Sequence, residues 1–509
     1  MQSSRTVDAV RGVVALALGV AVAHLVAALT DPARSPLAVV GGVVVRSVPT
    51  WLEQLAVQRL GTNDKPVLLL TLGAGLVLVG AAAGLVGRRS RAAGAAILLA
   101  LAVVAAVAAT AAGGGPSAVP SLVGGAVAAG TFLLLSRTPA PSPSAPAPQG
   151  PADGVGRRAV LVGLAGAAVL AVVSAGAGEA VRRAREAQAA ARRALRLPAP
   201  SDPAPPLPPD VEVGVADVTP FRVPVGDFYR VDTALVVPEV DAATWSLTIT
   251  GMVRDEVRLG YDDLLRMPLV ERDLTLTCVS NEVGGPYVGN ARWLGARLTD
   301  VLELAGLDPR AEQLLSHSVD GWSASTPVAI ALDGRDALVA VGMDGEPLPP
   351  EHGYPARLVV PGLYGFVSAT KWLTAIVATT YAAEQAYWTQ RGWATDAPVR
   401  TMSRIDVPRP LTTVRAGRVP VAGVAWAQHR GVDRVEVQVD DGPWEPARLG
   451  GAPSDDTWRQ WVWAWDAQPG RHTLRVRATD GSGAVQPASR LTPFPSGAQG
   501  HHEVVVQVA

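Results

Sequence analysis

The chain has 509 residues, 44 basic and 45 acidic, and its net charge of -1 lacks the basic excess that nucleic-acid binders carry. Hydrophobic residues make up 49 % and charged residues 17 %, too apolar for disorder or for an ordinary soluble chain. A single cysteine, Cys278, excludes an internal disulfide framework and any multi-cysteine zinc or iron–sulfur site. At about 100–200 residues per domain, the length predicts about three folded units.

Residues 1–180 read as a membrane anchor. Crossing the hydrocarbon core takes about 20 apolar residues, and such helices are expected at 7–29, 66–87, 92–112, 120–136 and 159–176. The first is too long for a removed signal peptide and lacks a convincing cleavage site. Residues 37–60 carry Arg46, Trp51, Glu53, Gln54 and Arg59, and read as interfacial or re-entrant rather than spanning. Ala and Gly dominate the helices, which favours close packing, and His24 is the ionisable residue well inside a span. A haem held between helices by two histidines would need a second one there. The helices are therefore expected to anchor the chain in membrane lipid rather than to carry chemistry.

Basic residues set the orientation. Arg88, Arg89 and Arg91 follow the second expected span, and Arg137, Arg157 and Arg158 bracket the loop between the fourth and fifth. With those sides cytoplasmic, everything after residue 176 lies outside. Arg182, Arg183, Arg185, Arg192, Arg193 and Arg196 oppose that orientation. The run Gly156-Arg157-Arg158-Ala159-Val160-Leu161 resembles a twin-arginine export signal, a route for domains that fold before crossing. A multi-pass cell-membrane protein with its soluble portion outside the cytoplasm is the expectation.

Residues 138–153 form a Pro/Ala/Ser linker that cannot build a core. Residues 181–219 are expected to be an Ala/Arg-rich helix and a Pro-rich linker. From 220 to 400 the pattern is mixed α+β. A period-2 strand is expected at Trp245–Thr250, a second strand at Asp273–Cys278, a further strand at Ala356–Val360, and short helices at 261–266 and 298–305. From 401 to 509 only strands are expected, at 432–439, 461–465 and 473–478, with turns at Asp440-Asp441-Gly442 and Gln468-Pro469-Gly470. That spacing predicts an immunoglobulin-like β-sandwich.

Cys278 ends a strand and enters the loop Val279-Ser280-Asn281-Glu282-Val283-Gly284-Gly285. Three readings are open for such a thiol: a buried structural cysteine, a nucleophile with a nearby base, or a soft-metal ligand. Its context favours the last. Phe228-Tyr229-Arg230-Val231-Asp232-Thr233, Leu276-Thr277-Cys278-Val279-Ser280-Asn281, Asn290-Ala291-Arg292-Trp293-Leu294-Gly295 and His352-Gly353-Tyr354-Pro355-Ala356-Arg357 occur in that order. Over roughly residues 220–385 the chain resembles the sulfite oxidase family of molybdopterin enzymes, and its β domain resembles that family's C-terminal dimerisation module.

The resemblance implies a molybdenum-dependent oxidoreductase holding one pyranopterin, with Cys278 as the metal's thiolate ligand. It implies cofactor contacts from His352, Arg357 and Lys371, with Ser368, Ala369 and Thr370 offering backbone groups alongside, and more weakly from Asn290, Tyr229 and Arg230. It also implies a homodimer. Sulfite-oxidising relatives place an arginine shortly after the cysteine, whereas this chain has none from Val279 to Gly285 and carries Glu282 instead. Trp322 stands where those enzymes have a tyrosine. Cys278, Trp322 and Glu282 are accordingly the expected catalytic residues. A sulfoxide-like or other small oxo substrate is expected, with sulfite oxidation, or a metal-free scaffold, as alternatives. This chain has no CxxCH haem motif and no iron–sulfur cysteine set, so electrons are expected to pass to or from a separate partner or quinone.

Overall fold

A computed structural model of the chain describes residues 2–30, 34–49, 52, 59, 64–113, 115–136, 183, 186, 187 and 189–509. It divides into two compact units, Met1–Ala191 with Thr233–Glu239, and Arg192–Asp232 with Val240–Ala509.

The first unit contains the helices Gln2–Thr30, Pro36–Ser47, Asp64–Gly87, Arg91–Gly113 and Val119–Leu135. Within them Arg5–Thr30, Lys65–Gly87 and Arg91–Ala111 are long and apolar enough to cross a membrane, while Val119–Leu135 is shorter. Glycine permits the close approach: a Cβ on Gly12 would collide with the backbone of Gly80 and Gly84, and one on Gly19 with that of Gly124. Asp8 meets Arg11 at 3.0 Å and Arg88 at 3.4 Å. The start of the first helix and the residue just past the end of the Asp64–Gly87 helix therefore share one end of the bundle. Of the expected interfacial segment 37–60, the described part is mainly the Pro36–Ser47 helix, capped by Ser35. Lys65 donates to the Ala234 carbonyl (2.8 Å), which ties the 233–239 segment to this unit. The expected span at 159–176, the linker at 138–153 and the Arg157-Arg158 pair lie outside the described residues.

In the second unit, the Pro-rich residues 197–209 are docked on the body. The amide of Ser201 donates to Leu269 O (2.8 Å), Asp202 bridges to Val270, and the Asp202 carboxylate meets Arg272 and Arg297 at 2.6 and 2.8 Å. Proline removes backbone donors and so forbids a regular ladder, yet Ser201 and Asp202 supply amides where a strand edge needs them. The segment is a strap on the body.

Ten strands build that body: β1 Ser246–Gly251, β2 Val257–Gly260, β3 Leu269–Thr277, β4 Val288–Arg297, β5 Gln313–Ser318, β6 Ser323–Pro327, β7 Leu338–Met343, β8 Glu346–Pro347, β9 Arg357–Val359 and β10 Leu373–Thr379. They form one sheet in the order β2-β1-β10-β5-β6 and another in the order β3-β4-β7-β8, with β9 on β7. The helices Tyr261–Arg266 and Leu298–Ala305 stand where the sequence predicts them. Strand β3 runs into the body core on both faces, so its pattern is continuous burial from Asp273 to Thr277 rather than alternation.

Nine further strands follow: β11 Met402–Val407, β12 Thr413–Val414, β13 Gly417–Trp426, β14 Val432–Val439, β15 Trp444–Pro446, β16 Arg448–Leu449, β17 Arg459–Ala467, β18 Gly470–Asp480 and β19 His502–Val508. Their two sheets, β11-β13-β17-β16 and β12-β19-β18-β14-β15, close over one core. Val421, Trp461 and Trp465 come from the first sheet and Val435, Val437, Leu474, Val476, Val504 and Val506 from the second. The sandwich is not independent of the body. Trp426 and Trp458 are buried in the body's own core, where the Trp458 indole donates to Phe221 O (2.9 Å). Gln428 donates to Thr275 O and Thr277 Oγ1 (3.2 and 2.8 Å), so the sandwich grips the last residues of β3.

Candidate functional site

Cys278 is the first residue beyond β3 and is 9 % exposed. Its amide donates to Tyr287 O (2.9 Å), which closes the base of a loop ending at β4. Inside the loop Asn281 N donates to Cys278 O (3.0 Å), and Asn281 Oδ1 accepts from Tyr287 N (2.8 Å). Burial pushes the thiol pKa up, opposed by hydrogen bonds from Ser280 and the charge of Lys371. A thiol in this setting stays protonated unless a strong cation takes its sulfur, which separates a metal ligand from a free nucleophile.

The His352–Arg357 turn lies against the same region. Gly353 (φ 108°) allows it: a Cβ there would sit 3.1 Å from Arg357 Cβ and from Lys371 Cα. Arg357 is buried, with Nη1 donating to His352 O (3.1 Å) and Nη2 to Ala369 O (3.4 Å), and its guanidinium 4.9 Å from the Trp293 ring. Its Nε has no partner. Burial lowers the Arg357 pKa to about 10. Burial and the Arg357 charge lower that of His352 to about 4, so the imidazole is neutral at pH 7. Its Nε2 faces the Val225 carbonyl at 3.1 Å, and since a carbonyl only accepts, Nε2 carries the proton.

Lys371 donates to Asp232 Oδ2 (2.6 Å) and Glu351 O (3.1 Å), and its Nζ lies 4.9 Å from the Trp372 ring. Burial lowers its pKa to about 8 in spite of Asp232. The same carboxylate takes the Arg230 fork (2.7 and 3.2 Å). Tyr229 stacks on Phe228 at 5.2 Å and faces Tyr287 at 6.4 Å. Burial, then the charge of Cys278, push the Tyr229 phenol well above its usual range, with Arg357 acting against them. Cys278, Tyr229, His352, Arg357 and Lys371 thus form one electrostatically coupled cluster.

The other expected site residues also make bonds within the fold, and Asn290 keeps a buried Nδ2 without a partner. Asn290 accepts from Thr275 Oγ1 (2.9 Å), which in turn accepts from Trp458 N (2.8 Å). Strand alternation puts Asn290 on the face of β4 opposite Trp293, so it faces the sandwich and not the Arg357 side. Ser368 Oγ donates to Leu363 O and Tyr364 O, and Thr370 Oγ1 pairs with Ser316 Oγ (2.7 Å), which leaves the backbone groups of 368–370 as their part in the expected site. Ala369 contributes its carbonyl to Arg357. Glu282 is exposed and its backbone carbonyl caps the Gly285 amide. Trp322 is half-buried just before β6, its amide on Asp320 Oδ1 (3.2 Å). Asp232, Trp293 and Tyr364 were not singled out from the sequence. The first two stand inside motifs quoted above, which was the available signal. Tyr364 is buried, and burial raises its pKa to about 12.

A buried lysine costs the fold whenever it is charged. Its folded pKa of about 8 lies below the unfolded 10.5, so the cofactor-free chain gains stability as pH rises between those values. We expect a gain of up to about 3 kcal/mol from this group. Thermal melts from pH 7.5 to 10 measure it, and Lys371→Met should flatten the rise.

Comparison with known proteins places this geometry. The family model of the oxidoreductase molybdopterin binding domain matches residues 234–388. Human mitochondrial sulfite oxidase is 33 % identical over 304 residues, covering 50 % of this chain and 55 % of the human protein. An NADH nitrate reductase of Oryza sativa subsp. japonica is 33 % identical over 178 residues, 30 % of this chain and 19 % of that one. The crystal structure of the sulfane dehydrogenase SoxCD from Paracoccus pantotrophus superposes with a TM-score of 0.50 at 25 % identity, covering 56 % of this chain and 81 % of that one. The chain spans about half the length of the curated sulfite oxidases it matches. Residues 234–388, with the buried thiol and cations assembled around them, are a molybdopterin-binding oxidoreductase domain of the sulfite oxidase family.

Proposed function

We propose that the chain is a membrane-anchored molybdenum oxidoreductase acting on a small neutral oxo compound such as a sulfoxide. The observation that carries this is the buried cluster itself. A thiol that needs a cation lies beside Arg357, whose Nε lacks a partner, and beside Lys371, whose charge burial opposes. That donor set fits a molybdenum pyranopterin carrying a phosphate. Cys278 would ligate the metal, and Arg357 and Lys371 would neutralise the phosphate as fork and point charge. When bound, the molybdenum supplies two-electron oxygen-atom transfer. Neutral His352 fixes the turn through Val225 O, and the Tyr229 phenol, held protonated, can donate one hydrogen bond into the site. Electrons would pass to or from a separate partner or quinone.

Charge balance supports the choice of substrate class. Arg230 and Lys371 share Asp232, and Arg404 is paired with Asp406 at 2.6 Å. Apart from Arg357, which is assigned to the phosphate, these cations have carboxylate partners, and the loop adds only the exposed Glu282. The loop itself therefore gives a dianion such as sulfite little compensation, which favours a neutral, partly apolar molecule. Sulfite oxidation is the second reading, favoured by the likeness to human sulfite oxidase.

The clustering of Arg11 and Arg88 around Asp8 puts basic residues at one end of the helical unit, which supports that end being cytoplasmic. We read the body as lying outside the cytoplasm, and the sandwich as immunoglobulin-like and capable of holding a homodimer.

Three measurements test these readings. Cys278→Ser should abolish turnover with an artificial electron carrier while retaining most pterin, because the phosphate contacts remain; wild-type turnover would remove the thiolate from the mechanism. Steady-state kinetics should give sulfite a specificity constant about 100-fold or more below that of a sulfoxide, the equivalent of two missing charged hydrogen bonds. Efficient sulfite oxidation would move the enzyme to the sulfite-oxidising class. For orientation, protease added to intact cells should cleave the body; complete protection would reverse the topology.

A further inference from the structure

The loop that carries Cys278 is held at both ends, and the grip at its apex comes from the sandwich. Gly284 and Gly285 form that apex. Arg404 on β11 donates through Nη1 to Gly285 O (2.9 Å) and through Nη2 to Thr219 Oγ1 (2.7 Å), and its Nε meets Asp406 (2.6 Å). Asp406 is itself fixed, accepting from Thr219 N at 3.0 Å. The Arg404 and Asp406 side chains are only 11 % and 9 % exposed. On the other side His502 of β19, whose Nδ1 accepts from Ile405 N (3.0 Å), fills the space a Cβ on Gly284 would need. Gly284 also has φ 79°, so two separate constraints demand glycine there.

The grip reaches the thiol by a short path. A Cβ on Gly285 would lie 2.7 Å from Asn281 Oδ1, so the apex and the Asn281 amide are in close contact. Asn281 Oδ1 binds Tyr287 N and Asn281 N binds Cys278 O. Displacing Gly285 therefore disturbs Asn281, whose side-chain oxygen holds Tyr287 at one end of the loop and whose backbone amide holds Cys278 at the other. We propose that Arg404, with His502 packed beside it, is a positioning residue that fixes the Cys278 sulfur from the neighbouring β-sandwich. The sandwich is then part of the site and not only a candidate contact between copies. This rests on Cys278 being the metal ligand, but the test does not require metal.

Because the full chain contains one cysteine, labelling of the metal-free protein in detergent reports Cys278 alone. Exposure of a buried thiol depends on local opening of its loop. Losing the charged bond to Gly285 should raise the labelling rate by about tenfold or more in Arg404→Ala. Arg404→Lys, which keeps one donor, should fall between the two, and Arg434→Ala on the exposed part of β14 should match wild type. In the loaded protein, Arg404→Lys should also shift the thiolate-to-molybdenum absorption band at unchanged metal content. If Arg404→Ala does not fold, Arg404→Lys and His502→Ala carry the test. Wild-type labelling rates and an unshifted band in folded variants would overturn the proposal. Faster labelling in the variants, together with a wild-type protein that never binds molybdenum, would leave the clamp standing and sink the proposed function instead.

Discussion

Burial of charge without full compensation is the constraint around which the body is arranged. Arg357 and Lys371 are taken out of water, yet Arg357 receives only two carbonyls and an indole face, and Lys371 shares its one carboxylate with Arg230. Burying a cation this way costs stability that apolar packing must offset. A fold keeps such an arrangement when a ligand completes it. The same reasoning covers Cys278, whose thiol is disfavoured as an anion by burial alone. One thiol wanting a cation beside cations wanting an anion is the signature of a ligand that carries both, a metal and a phosphate.

The surrounding structure exists to hold those groups against their cost. Trp293 offers its face to Arg357, Phe228 touches Trp293 and His352 edge-on at 5.9 and 5.5 Å, and Gly289 leaves room for Phe228. That column stands on one face of β4. The opposite face carries Asn290, locked through Thr275 to Trp458. A single strand thus separates the polar pocket from the joint with the sandwich, and a change on either face is felt on the other.

This two-faced strand also explains what the sequence disclosed and what it withheld. The short helices at 261–266 and 298–305 and the alternating strands of the sandwich were legible because their patterns are local. Cys278, His352, Arg357 and Lys371 were legible through ordered motifs. The face Asn290 takes needed the fold, because a motif gives spacing along the chain but not which side of β4 a residue stands on. The docking of 197–209 was not legible for a related reason: proline content argues against a ladder, yet two amides suffice to hold an extended segment on a strand edge. Asp232 needed the fold, since only there does one carboxylate meet Arg230 and Lys371 at once.

The joint between body and sandwich shows why a site can depend on residues far away in sequence. Gln428 holds the end of β3, Arg404 holds the apex of the loop, and Tyr287 closes its base. Each of these bonds alone is modest, about 1–3 kcal/mol. Together they remove the freedom of a ten-residue loop whose flexibility would otherwise let the sulfur wander, and preorganisation of that kind matters most where a metal demands one ligand geometry. Sequence separation measures nothing here. A sandwich that begins more than a hundred residues after Cys278 supplies the contacts that decide where its sulfur stands.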